Sequence, residues 1–282
     1  MGRARNYGVN NNGGFASHLI VPDPKYLVDP GNCDMALAAT YTCSGLTAFS
    51  AVRKASLAMQ GATSSPTGAG RFLLIIGAGG LGLHGIGWAK ILTEAQVVVA
   101  ERDTTKHAVA KEAGADIVID TSGDDALDLL RAATGGGPHA VIDFVGMPAT
   151  SGLGRDALRK GGTQVQVGLF GGPMELDVGS FATAHKHLMG NFVVRFARLR
   201  CTHPSAASPS STWRVLMDYA SAGQGSLDEF NELMKYVRSG EKKDIPVETR
   251  PIEAANEAIA DLRAGTIVGR CVLTHAPREP SL

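Results

Sequence analysis

Between residues 72 and 101 the chain runs from an unbroken apolar segment, Phe72-Leu73-Leu74-Ile75-Ile76, through Gly77-Ala78-Gly79-Gly80-Leu81-Gly82 into a stretch of helical pattern. It leaves through a second β-branched segment at 97–99 that closes on Glu101. Apolar runs without alternation mark strands buried on both faces, as in a parallel sheet covered by helices. The pattern then repeats: a helix at 104–113 stopped by Gly114, a strand at 117–119 ending at Asp120, and a helix at 124–133 leading to Gly135-Gly136-Gly137. Next come a strand at 140–144, a helix near 149–159, and strands at 164–167 and 191–194. Strand–helix alternation predicts a parallel α/β sheet. Six strands make a complete doubly wound Rossmann sheet, whose ligands sit in the crevice beyond the strand C-terminal ends.

The glycine-rich turn gives that crevice its chemistry. Gly77 allows the tight exit from the strand, Gly79 lets backbone approach a pyrophosphate, and Gly82 lets the helix pack close. Phosphates then meet unpaired N–H groups at the helix N-terminus, with Gly80 and Leu81 inside the same turn. Glu101 lies nineteen residues beyond Gly82, where a carboxylate accepts from the adenosine ribose hydroxyls. A negative charge there disfavours a 2′-phosphate, although Arg102 stands beside it, so the expected cofactor is NAD(H). Gly146, Gly168 and Gly171, just past strand ends, read equally as cofactor contacts or as turn glycines.

One segment breaks the alternation. Ser226 and Glu229 form a capping box ahead of Phe230, Leu233, Met234 and Val237, so a helix starts there. Links from strand to helix usually take about 2–6 residues, which leaves 195–225 as an insertion. It is rich in Ser and Thr, carries Arg195, Arg198 and Arg200, has one amphipathic turn at Trp213, Leu216 and Met217, and is expected to be unpacked.

Composition narrows the field. Lys+Arg and Asp+Glu number 27 each, so no net charge points to nucleic acid or an anionic membrane. Cys33, Cys43, Cys201 and Cys271 form no CxxC and no N-x-S/T sequon occurs, which fits a reducing, cytoplasmic setting. Residues 72–92 are apolar but interrupted by glycines, His84 and Lys90, a pattern of strand and buried helix rather than a membrane span. No targeting segment is read at the N-terminus.

Three further segments, GGFASHLIVPDPKYLVDP (13–30), TYTCSGLTAFSAVRKA (40–55) and ETRPIEAANEAIADLRAGTIVGRCVL (248–273), fall in order around the glycine-rich turn. Together they resemble the zinc-type medium-chain alcohol dehydrogenases. The resemblance implies a hydride transfer between NAD(H) and an alcohol, aldehyde or ketone, in a homo-oligomer such as a dimer or tetramer. It also implies three regions: 1–31 and 241–282 as parts of a β-rich catalytic domain, with strands at 15–21 and 267–273, and 32–240 as the dinucleotide-binding domain. It places Cys43 on a ligand of the catalytic zinc and Thr47 beside the nicotinamide as the catalytic residue. Val145, Val167, Gly168 and Leu169 fall on the nicotinamide lining, Lys106 near the ribose, and Arg270 near the pyrophosphate. The remaining zinc ligands and the proton-relay hydroxyl belong, in the family, to a segment ahead of the one that MGRARNYGVNNNGG matches. The zinc set is therefore expected to be incomplete in these residues, leaving as alternatives an inactive NAD-binding chain or a zinc-free enzyme of the quinone-reductase type. Cys43 within TCSGLTA argues against the second.

Overall fold

A computed structural model describes residue 8 and residues 11–16, 18–21, 23–60, 70–192 and 226–275. The sheet contains β1 (Phe72–Ile76), β2 (Gln96–Glu101), β3 (Ile117–Asp120), β4 (Ala140–Asp143), β5 (Thr163–Gln166) and β6 (His187–Gly190). All pairs are parallel, in the order β3-β2-β1-β4-β5-β6. β1 is buried at every position, and its side chains alternate between two apolar cores. Leu73 and Ile75 join Val97, Val99, Ile142 and Val165 on one face; Phe72, Leu74 and Ile76 join Val98, Ala100 and Val141 on the other. A strand that must be apolar on both sides reads as an unbroken run, which is why β1 was legible.

The first core lies under α1 (Met35–Thr40), α2 (Leu46–Gln60), α3 (Gly80–Leu92) and α8 (Leu227–Arg238); the second lies under α5 (Ala126–Ala133) and α6 (Pro148–Ala157). The shorter α4 (His107–Glu112) and α7 (Val178–Thr183) complete the connections. Residues 35–60 form one continuous helical rod long and apolar enough to span a membrane, but most of it is buried, with Phe49 and Val52 among the residues packed in the sheet core. α8 begins where the capping box predicts: the Ser226 hydroxyl accepts from the Glu229 N–H at 3.1 Å. An Arg53–Glu232 pair at 2.7 Å ties α8 to α2.

Two expectations change. The sixth strand is 187–190, not 191–194; Asn191 and Phe192 follow it, and 193–194 lie outside the described residues, as does the whole 195–225 insertion. The true strand is half polar and exposed at the sheet edge, so it lacks the apolar run that marks the central strands. His187 accordingly lies on a strand, with His185 in the turn before it at φ 50°. The second change is at 15–21, where the described residues are not in a strand. Near the C-terminus, β7 (Val247–Pro251) pairs in parallel with β8 (Arg270–Thr274), and α9 (Ala255–Ala264) links them.

Candidate functional site

The C-terminal edge of the sheet carries a row of polar residues, each directly after an apolar run: Glu101, Asp120, Asp143 and Gln166. Register sets Glu101 beside Asp120 and Asp143 beside Gln166. Between these pairs β1 ends, and the glycine-rich turn opens.

Each glycine of that turn has its own reason. Gly77 adopts φ 91°, the left-handed region. A Cβ on Gly82 would stand 1.9 Å from the Gly77 carbonyl oxygen, so helix and turn touch backbone to backbone. A Cβ on Gly79 would meet nothing within 4 Å, leaving open space at the start of α3. No side chain caps that helix end, and its first turn holds no acid. The first N–H groups of a helix lack intrahelical partners, which is the physical requirement for anion binding.

Arg270 reaches over from β8 to the start of α3. Its side chain packs on Gly80, where a Cβ would lie 2.4 Å from Nε, and Nε is buried without a hydrogen-bond partner. Burial pushes the guanidinium pKa down, partly opposed by Cys43. An orphaned guanidinium N–H beside an uncapped helix start fits the pyrophosphate of a dinucleotide.

Glu101 is 8% exposed and both its oxygens are engaged: Oε2 accepts from the Ala78 N–H at 2.7 Å and Oε1 from the Asp103 N–H at 2.9 Å. The ribose-binding candidate thus also fastens the glycine-rich turn to the end of β2. Lys106 pairs with Asp103 at 3.0 Å, at the rim of the same region.

At the other end of the crevice, Val145, Gly146, Val167, Gly168 and Leu169 come together where the loops after β4 and β5 cross. A Cβ on Gly168 would fall 2.0 Å from the Val145 carbonyl carbon, and Gly146 (φ 77°) and Gly171 (φ 85°) make the turns. These glycines therefore serve the chain's own crossing. Beyond it Leu169 is 74% and Phe170 81% exposed, an apolar rim to the crevice.

Cys43 and Thr47 lie where α1 passes into α2 through a π-helical turn, Tyr41–Gly45. Such turns recur at functional sites. Thr47 is buried, its hydroxyl donates to the Cys43 carbonyl at 2.7 Å, and its own carbonyl accepts from the Asn191 side-chain amide at 3.1 Å. Cys43 is exposed. Among the described residues no three His, Cys, Asp or Glu side chains come together to hold a metal ion. Zinc chemistry requires three protein ligands, so the described residues do not fit a catalytic zinc, and none of the chemistry below is routed through one.

Sequence reasoning missed Asp143, Asn191, His84 and Lys242. Asn191 is buried with Oδ1 unpartnered. His84 is wholly buried below the turn, its Nε2 lying 3.1 Å from the Thr40 hydroxyl. Because that hydroxyl donates its proton to the Leu37 carbonyl at 2.7 Å, Nε2 carries the histidine's hydrogen. Burial first, then Lys242 and Arg270, push the His84 pKa well below the ordinary range, so the ring is neutral. Lys242 lies buried over Trp88, 5.3 Å from its ring centre. The one signal available for Asp143 was its place: an acid closing an apolar strand, like Glu101.

Residues 80–208 match the family described as zinc-binding dehydrogenase. NAD-dependent alcohol dehydrogenases of Saccharolobus solfataricus and Sulfurisphaera tokodaii are each 31% identical over 268 residues, covering 94% of this chain and 65% of theirs. The chain thus spans just under two thirds of the length of these curated relatives. Among solved structures, the alcohol dehydrogenase of Aeropyrum pernix superposes with a TM-score of 0.72 at 24% identity, over 95% of this chain and 67% of that one. The acetophenone reductase of Geotrichum candidum, solved in complex with NAD, gives 0.68 at 24%, over 97% and 66%. At such identities these two speak for the fold.

Proposed function

We propose that the chain belongs to the zinc-type medium-chain alcohol dehydrogenase family and that it binds NAD(H) in the crevice above β1, β4 and β5. There it would serve hydride exchange with a small alcohol, aldehyde or ketone. The observation that carries this reading is the open, uncapped start of α3 with the unpartnered Arg270 Nε packed on Gly80. When bound, NAD(H) supplies the hydride acceptor or donor. The residues of this chain supply place and charge. N–H groups from Gly79 to Gly82 and the Arg270 guanidinium hold the pyrophosphate, Glu101 the adenosine ribose, with Lys106 near it. Val145, Val167, Gly168 and Leu169 line the nicotinamide, and Thr47 stands at the crevice side of α2.

The same reading takes 32–240 as the dinucleotide-binding domain and 1–31 with 241–282 as parts of a catalytic domain, in a cytoplasmic homo-oligomer. Cys43 falls on the position of a zinc ligand in the family, without a three-ligand set among the described residues. A second reading, dinucleotide binding without zinc-dependent turnover, is favoured by the lack of a three-ligand cluster among the described residues.

Isothermal titration tests the premise. NADH should bind in the micromolar range, roughly −8 kcal/mol, and more tightly than NADPH; no heat up to millimolar NADH would refute it. Alcohol-dependent NADH formation, with zinc measured per chain, separates the two readings.

A further inference from the structure

Asp143 closes β4 with no exposed surface. Its carboxylate accepts five hydrogen bonds, all from neutral donors. Oδ1 takes the N–H groups of Val145 at 2.8 Å and Gly146 at 3.0 Å. Oδ2 takes the hydroxyls of Thr150 at 3.0 Å and Ser151 at 2.9 Å, and the Gln166 side-chain amide at 3.1 Å. Its backbone carbonyl accepts from the N–H groups of Val167 at 3.0 Å and Gly168 at 2.9 Å. One residue therefore fastens both loops at their crossing, together with the start of α6 and the end of β5.

We propose that Asp143 is the positioning residue for the nicotinamide end of the crevice, acting through the backbone of Val145, Gly146, Val167 and Gly168 without touching the cofactor; this rests on the dinucleotide reading above. An ionised carboxylate offers acceptors only, so it gathers converging donors from several elements at once. An amide at the same place keeps one acceptor and turns an NH2 group toward donors, leaving buried N–H groups without partners. The crossing has no slack to absorb this, since no side chain fits between Gly146 and Gly168. The adenosine end is held separately, by Glu101 on β2.

The test is the difference between two ligands measured by titration calorimetry on the 282-residue chain. NADH spans both ends of the crevice, and AMP reaches only the adenosine end. Asp143→Asn should weaken NADH tenfold or more and leave AMP within twofold, with the far-ultraviolet dichroism unchanged. Should Asp143→Asn fail to fold, Ser151→Ala decides: it removes one of the five donors and should weaken NADH about threefold with AMP unchanged. Equal loss of both ligands, or loss of neither, in the folded variant overturns the assignment. A wild-type chain that binds neither ligand instead overturns the dinucleotide reading, and the assignment with it.

Discussion

Glu101→Ala separates a ribose contact from a structural brace, because the carboxylate serves two backbone donors before any ligand arrives. Ala78 is 1% exposed, so its N–H, stripped of Oε2, cannot turn to water. A buried donor left unpaired costs about 1–3 kcal/mol. The Asp103 N–H is partly exposed and can be rehydrated, so its loss adds at most about 1 kcal/mol. The sum is about 1–4 kcal/mol. At about 2–4 °C per kcal/mol for a domain of this size, the melting midpoint should fall by roughly 2–16 °C. Thermal unfolding followed by circular dichroism reads this without cofactor, and calorimetry then gives the loss of NADH, expected to exceed the loss of NADPH. Glu101→Gln keeps one acceptor and should fall between. A Glu101→Ala midpoint within about 1 °C of wild type, with NADH binding lost, would refute the brace and leave a ribose contact alone.

Gly82→Ala forces a Cβ to 1.9 Å from the Gly77 carbonyl oxygen and should destabilise the fold by about 3 kcal/mol or more, seen as a collapsed urea midpoint. Gly79→Ala meets nothing within 4 Å and should keep its midpoint while losing NADH affinity more than tenfold, since the methyl fills the space needed by the pyrophosphate. Burial lowers the Lys242 pKa to about 8, with Asp244 opposing, whereas an unfolded lysine titrates near 10.4. Between those values the unfolded chain holds more protons, so this group makes stability rise with pH; below about 8 both states are charged and the penalty is fully present. Lys242→Met should therefore raise stability at pH 7 by about 1–3 kcal/mol and flatten that rise, as read from urea midpoints at pH 7 and 9.5. The 282-residue chain should retain less than one zinc per chain after chelator dialysis, measured by plasma mass spectrometry; stoichiometric zinc would require ligands among residues other than the described ones.

How much was readable in the sequence follows from what makes each element. The central strands announce themselves because burial on two faces forces them to be apolar throughout, and the helix at Ser226 because its cap is local chemistry. β6, polar and exposed at the edge, leaves no such trace. Gly77 and Gly82 were legible with their separate roles, since each is a steric demand of one turn. Arg270 entered through family likeness alone, 190 residues downstream of the Gly80 it packs on. Asp143 escaped because its importance lies in donors gathered from three elements, which no local pattern records.

The π-helical turn at Tyr41–Gly45 leaves its mark on what the chain can tolerate over generations. A wider turn amounts to one extra residue in the rod, swinging everything after it by about 100° relative to a regular helix. Tyr41 and Phe49 both point inward across that offset, Trp88 donates its indole N–H to the Gly45 carbonyl at 3.1 Å, and Thr42 and Cys43 are carried outward. Substitutions in this turn alter one side chain; losing a single residue would rotate a whole buried face into water. Spacing here is thus expected to be inherited more strictly than the identity of the exposed Thr42 and Cys43, and lineages that swap those two would still be expected to hold the length of the turn fixed.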